Sequence, residues 1–380
     1  GEGQAWDGLS LYDLTRFNPW YFDRTAAFAE LCDSHGLVLH HSLHNTHNLL
    51  EIVPHWVDYP WRPANNVNDT GLPEPMPIEP RGRIHLATEV YNVDYGPRAA
   101  LHRGYIRQVL DRIGRAQNLL LGVGFQYSGP LAFQQFFMDT VREWERENRT
   151  RVRIALTASK DVTDAILADP VRAQQVAVID TRYWQYRPDG SLWAPKGGQN
   201  KAFREAVTED FGRMGDHAPA TTPAQAYRQV REYRERFPHK AVVAWHNGAG
   251  QVPALMAGAA QVLMRNPTAG HDQGRKIDHT PLDGFLRGHL AADLPRMDVA
   301  EGLVDGAGPS WALADVRRRT VLVASMSGPQ IAVAPQLRTS KLTRGLWFSP
   351  KTGTTLDQQA LPPLLQKPDP GEWLLLLRLS

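Results

Sequence analysis

The stretch VIDTRYWQYRPDG (178–190) sets a carboxylate, Asp180, two residues ahead of a guanidinium, Arg182, and follows them with Tyr183, Trp184 and Tyr186. An acid can move a proton or hold charge, flat rings stack on a sugar face, and a guanidinium grips hydroxyls or a carboxylate. An Asp in that place also caps the next turn or pairs with its own Arg182, so both readings stand. A second polar cluster, HHSLHNTHNLLEIVPHWVDYPWRPANNVNDTGLPEP (40–75), holds five histidines among acids and asparagines. His44 and His47, with Glu51 four residues on, share the spacing of one helical face, a pattern compatible with zinc or calcium. The spacing is not H-E-x-x-H, and no metal or other cofactor is assigned. From this region His44, Trp61, Asn66 and Asp69 are taken as substrate-binding, and Glu51 as an available acid; Glu89 is a second acid from the same long stretch. Gln126-Tyr127, His246-Asn247 and Arg265 complete the set of chemically useful positions.

These positions follow short apolar runs. The runs at 36–43, 118–125, 151–158, 176–184, 240–248 and 260–266 alternate with amphipathic segments, the pattern of a parallel α/β sheet or barrel. In a parallel barrel the reactive face lies at the C-terminal ends of the strands, where these residues fall. Closure of a (β/α)8 barrel needs eight strands, and six are visible before the texture changes. The opening GEGQAWDGLSLYDLTRFNPWYF reads as a strand-to-helix loop. The expected fold is therefore α/β, a (β/α)8 TIM-type barrel over residues 1–298 whose N-terminal strands are missing from this chain. A small antiparallel β-sandwich follows over 299–380, signalled by SWALADVRRRTVLVASMSGPQIAVAP, RGLWFSPKTGTTL and GEWLLLLRLS. A six-stranded open sheet is the alternative, although no Gly-rich phosphate loop follows any strand. The long irregular stretches 44–96 and 185–221 sit after strand ends, where insertions build substrate sites.

The bulk composition bounds the partners. Forty-two Lys+Arg against forty Asp+Glu leave a formal charge of +2 without long like-charge runs, which argues against nucleic acid. The apolar runs are too short to cross a bilayer, WLLLLRL being interrupted at Arg378. Cys32, the one cysteine, excludes an intrachain disulfide and reads as a packed helix residue. Eleven Trp and eleven Tyr suit a large core or a carbohydrate cleft.

The order YFDRTAAFAELCDSHGLVLHHS, then LHRGYIRQVLDRIGRAQNLLLGVGFQYSGPLAFQQFFMDTVREW, then RGLWFSPKTG and WLLLLR, resembles the (β/α)8 glycoside hydrolases of the large retaining clan. Within it the chain looks most similar to apiosidase-like glycosidases that carry a C-terminal module labelled collagen-binding, a label not carried over here. The resemblance begins at what would be the second barrel helix. It implies an Asn-Glu acid/base at the end of the fourth strand and a nucleophilic Glu at the seventh. Phe125-Gln126 and Trp245-His246-Asn247 occupy those places, and neither carries a carboxylate. An amide cannot donate and recover a proton near neutral pH.

Three explanations compete. Gln126 replaces a former Glu in a protein that binds without turnover. Alternatively, the chemistry has moved to Asp180 with a loop acid, Glu89 before Glu51; inverting hydrolysis needs carboxyls about 6.5–9.5 Å apart. Or the barrel binds carbohydrate and catalyses nothing. The expected activity is hydrolysis of a glycosidic bond in a plant or microbial polysaccharide. Asp180, Glu89 and Glu51 are its acids, and Gln126, Tyr127, Arg182, Trp184, His246, Asn247 and Arg265 bind sugar beside the loop residues above. The expected partners are an oligo- or polysaccharide and the absent N-terminal segment of the same protein, and the expected location is secreted or periplasmic.

Overall fold

The computed structural model describes residues 11–44, 49, 56–74, 87–124, 127–201, 203, 206, 210, 221–247, 250–265, 280–315, 317 and 319–380; the side chains of 245–247, 261–265 and 280 are not described. The chain divides into two compact units, residues 1–184 with 192–219 and residues 185–191 with 220–380.

In the first unit, strands alternate with helices. Helix α1 (Pro19–Ser34) opens on the Asn18 side chain, which accepts the Trp20 amide, and Pro19 occupies the first turn, where its missing N–H costs nothing. It buries Phe22, Ala29 and Cys32, whereas Trp20, Phe28 and Leu31 on its other faces are exposed. Strand β1 (Leu39–His44) follows, then α2 (Gly96–Ile113), β2 (Leu119–Gly124), α3 (Leu131–Asn148), β3 (Arg153–Leu156), α4 (Lys160–Ala168) and β4 (Val176–Asp180). On α2 the buried residues Leu101, His102, Ile106, Val109, Leu110 and Ile113 recur at helical spacing and make one apolar face. The four strands pair in parallel in chain order, with Leu39 opposite Leu119, Leu121 opposite Ile154, and Leu156 opposite Ile179. Among the described residues β1 is paired on one side alone, so this sheet is open and no closed ring is formed.

The second unit contains two more helix–strand repeats of the same kind: α5 (Pro223–Arg236) with β5 (Ala241–Asn247), and α6 (Gln251–Met256) with β6 (Gln261–Arg265). Strands β5 and β6 pair in parallel. All six apolar runs of the sequence thus form strands. After α7 (Thr280–Leu290) the chain becomes antiparallel, through β7 (Asp298–Val299), β8 (Val304–Gly306), β9 (Ser310–Asp315), β10 (Thr320–Ser325), β11 (Gln330–Val333), β12 (Leu342–Phe348), β13 (Thr355–Asp357), β14 (Leu364–Gln366) and β15 (Trp373–Leu379). The larger sheet runs β13-β12-β15-β10-β9-β7 and the smaller β8-β11-β14.

The larger sheet is buried on both faces, and its sequence says why it lacks polar alternation. Val321, Val323, Trp347, Leu375 and Leu377 pack toward Ile331, Val333 and Leu365 of the smaller sheet. The alternate residues Leu322, Ala324, Leu346, Phe348, Leu374 and Leu376 pack against Val252, Met256, Leu282, Phe285 and Leu290 of α6 and α7. Successive strand residues point to opposite faces, so two covered faces demand the continuous run WLLLL. No helix among the described residues is long and apolar enough to cross a membrane.

Candidate active site

Asp180 is the last residue of β4 and is 5% exposed. Its Oδ1 accepts the Arg182 amide at 2.9 Å and its Oδ2 faces the Arg182 guanidinium at 3.3 Å. Arg182 also donates to the Tyr183 hydroxyl at 3.2 Å. Tyr183 in turn stacks on Phe203, with ring centroids 3.9 Å apart and planes 8° from parallel. Trp184 is buried, and the Lys160 ammonium lies 4.7 Å from its ring centroid while pairing with Asp164 at 2.7 Å. The end of β4 thus holds a buried carboxylate and a buried guanidinium against each other.

His40 and the half-buried His41 lie on β1, and the Arg182 charge bears on His40. Gly122 on β2 leaves room for the His40 ring: a Cβ there would sit 3.1 Å from His40 Nε2 and 3.2 Å from the Ala155 carbonyl. His40 is held below the ordinary histidine pKa by desolvation, then by the Arg182 charge and by His41; desolvation alone lowers His41. Both rings are therefore neutral at pH 7, each able to donate and to accept a hydrogen bond. Tyr127 forms an isolated parallel bridge with Ala158 and spends its hydroxyl on the Pro130 carbonyl at 2.6 Å.

His44 and Trp61 lie in a buried aromatic cluster. The His44 ring centroid is 5.2 Å from that of His102, 5.8 Å from that of Tyr91 and 6.4 Å from that of Trp61, and Trp61 stacks on His102 at 4.3 Å. His102 Nε2 reaches the Val90 carbonyl at 2.8 Å. Burial brings the His44 pKa down to about 4. His102 is also pushed well below the usual value, by burial first and then by His44.

The long loop is ordered by its own polar side chains. Asn66 Nδ2 donates to the Pro60 carbonyl at 3.0 Å and the Arg62 carbonyl at 2.7 Å, and its Oδ1 accepts the Asn68 amide at 2.9 Å. The exposed Asp69 carboxylate accepts the Tyr95 hydroxyl and the Gly71 amide. Glu89 is half-buried and accepts the Thr88 hydroxyl at 3.0 Å. The Thr88 amide donates to the Asn200 side chain at 2.7 Å, joining the two long irregular stretches.

The structure thus groups Asp180, Arg182 and Trp184 on one stretch, His44 with Trp61 in the aromatic cluster, and Asn66 and Asp69 on one loop. Glu89 belongs to the same unit on a separate turn. Glu51 and Gln126 lie outside the described residues. In the second unit the backbone register sets Asn247 opposite Arg265 and His246 opposite Met264. Among the described residues no group of three His, Cys, Asp or Glu is placed to hold a metal ion; His47 and Glu51 fall outside them. Lys160, beside Trp184, is signalled in the sequence only as a lysine four residues beyond the apolar run of β3, in LTASK.

Residues 1–271 match a family model described as a domain of unknown function, DUF6298. No curated protein sequence matches significantly. Among solved structures, one titled a glycoside hydrolase is 12% identical with a TM-score of 0.50, over 99% of this chain and 95% of that one. A glycoside hydrolase family 5 protein from Bacteroides vulgatus ATCC 8482 is 10% identical with a TM-score of 0.52, over 99% and 92%. At these identities the likeness is one of fold.

Proposed function

We propose that this chain, which belongs to the DUF6298 family, is a glycoside hydrolase in which Asp180 is the anionic carboxylate and Glu89 the proton donor. The observation that carries the reading is a buried carboxylate at the C-terminal end of a parallel strand, held by a neighbouring guanidinium. Strand ends of that kind are where α/β barrels place their chemistry. The fold likeness to glycoside hydrolases supports the same reading.

Asp180 would activate water or stabilise an oxocarbenium-like centre, while a half-buried Glu89 would protonate the leaving oxygen. Glu51 is the reserve acid. Arg182 and the neutral His40 and His41 would take hydroxyl contacts, with Gln126 as a hydrogen-bonding amide. Trp184 and Tyr127, both enclosed, would shape the floor beneath the sugar. His44 and Trp61 would hold the loop. His246, Asn247 and Arg265 are proposed as further sugar contacts on the strands of the second unit. The substrate class we favour is a plant or microbial polysaccharide, met in a secreted or periplasmic setting, on a barrel of the apiosidase-like type.

A sugar-binding protein without turnover is the second reading. It is favoured by the Asp180–Arg182 pair, since both carboxylate oxygens already have a partner. Reducing-end release across a polysaccharide panel, read beside Trp fluorescence, separates the two. Sugar-dependent fluorescence with no release supports binding alone, and release that disappears in Asp180→Asn supports the enzyme. Gain of turnover in Gln126→Glu would instead identify Gln126 as the replacement of a former acid.

A further inference from the structure

Arg98 lies on the first turn of α2, yet its side chain is 4% exposed. Its guanidinium is enclosed by backbone carbonyls from two separate segments. Nε donates to Thr70 O at 2.8 Å and Nη2 to Gly71 O at 2.8 Å; Nη1 donates to Glu89 O and, at 3.3 Å, to Asn92 O. The Tyr95 ring covers it, with the guanidinium carbon 5.3 Å from the centroid, and the Tyr95 hydroxyl binds Asp69. Burial lowers the Arg98 pKa, and the charges of Tyr95, Glu89 and Asp69 oppose that shift.

Only a planar fork with several donors satisfies acceptors arranged this way, which separates arginine from lysine here. Gly71 makes the close approach possible. Its φ is +62°, and a Cβ would meet the Tyr95 ring at 2.6 Å and Arg98 Nη2 at 3.1 Å. Gly71 belongs to the loop of Asp69, and the 87–92 turn carries Glu89; without the guanidinium nothing in the carbonyl set would draw the two together, because carbonyls repel one another.

We propose that Arg98 is the positioning residue of Glu89, clamping the turn that carries this acid onto the 69–71 loop and so fixing where its carboxylate stands. The inference rests on the glycosidase reading for its catalytic consequence, but the clamp itself can be tested apart from activity. In Arg98→Ala, amide hydrogen exchange should rise at 69–71 and 88–92 while exchange in β2 and β3 stays as in the parent. On a hydrolysed oligosaccharide, kcat should fall by about a hundredfold with little change in KM, the scale expected when a reacting group is misplaced by about an ångström. Free guanidinium ion, at concentrations too low to unfold the protein, should restore part of the rate, and Arg98→Lys should restore little. Should Arg98→Ala not fold, Gly71→Ala disturbs the same cage with the charge retained and should move both readouts in the same direction.

Unchanged exchange at 88–92 would overturn the clamp. Faster exchange with an unchanged kcat well below the melting temperature would overturn the positioning role and leave Arg98 as a fold element. If the parent protein releases no reducing ends, the hydrolase reading fails separately. The variant's affinity for the same oligosaccharide, by fluorescence titration, then decides whether the clamp shapes the site, and an unchanged affinity sinks it.

Discussion

The Asp180 carboxylate is met twice by one neighbour, by the Arg182 amide at 2.9 Å and by the Arg182 guanidinium at 3.3 Å. The pair is buried, with side chains 3% and 6% exposed. Removing one partner of such a pair leaves an uncompensated charge, at a cost of about 3–5 kcal/mol. Asp180→Ala should therefore lower stability on that scale, measured by urea unfolding. Asp180→Asn keeps the shape and one acceptor for the Arg182 amide but turns an NH2 donor toward the guanidinium, so it should also lower stability while abolishing sugar release. Persistent release in Asp180→Asn would remove Asp180 from the mechanism.

Stability should fall with acid across a defined window. His44 titrates near 6.5 when unfolded and at about 4 when folded. Between these values the unfolded chain binds a proton that the folded chain refuses, so stability rises with pH there. The contribution is in full effect above pH 6.5, declines on acidification toward pH 4 and is absent below it. For His44 alone it amounts to about 3 kcal/mol. His102 shifts in the same direction. Unfolding free energies at pH 7, 5.5 and 4 should show the slope, and His44→Phe should flatten part of it. An identical slope in the variant would count against the buried pair as its source.

Gly122→Ala tests the contact between β1 and the β4 end. The added methyl would press on His40 Nε2 at 3.1 Å and on the Ala155 carbonyl at 3.2 Å. Overpacking of this kind costs about 1–3 kcal/mol. His40 should also move away from Arg182, so its titration, followed by NMR, should shift upward toward 6.5. A variant as stable as the parent, with His40 unmoved, would show that the strand absorbs the methyl.

Leu375→Ala and Leu376→Ala probe opposite faces of β15. Both are buried, one toward the smaller sheet and one toward α6 and α7. Each substitution should cost about 2–5 kcal/mol. In a sandwich with a solvated outer face one of the two would be nearly silent, and that result would refute the covered face.

Much of this fold was legible in the sequence. The six parallel strands could be placed because each is a short apolar run bounded by polar or turn residues, and Asp180 stood out as the charge that ends one of them. The antiparallel character from residue 299 was equally plain, but the division into compact units was not, because α5 to β6 read as a continuation of the preceding repeats. His44 and Trp61 illustrate a different limit. A histidine and a tryptophan in a polar stretch carry no sign of their neighbours, and the stacking of Trp61 on His102 and the edge-on contact of His44 with the same ring emerge only from the fold. Arg98 was invisible for a related reason. On a helix that opens with GPRAALHRG, an arginine at the first turn looks solvated, and its acceptors are carbonyls up to 28 residues away.

The position of β15 in the larger sheet bears on how the polypeptide is made. This strand, Trp373–Leu379, lies between β12 and β10 and pairs with both. During vectorial synthesis those two strands emerge before the one that joins them, leaving one edge of β10 and one edge of β12 without a partner. Nascent chains in that interval are suited to chaperone binding, and the larger sheet assembles only once residue 379 has left the ribosome.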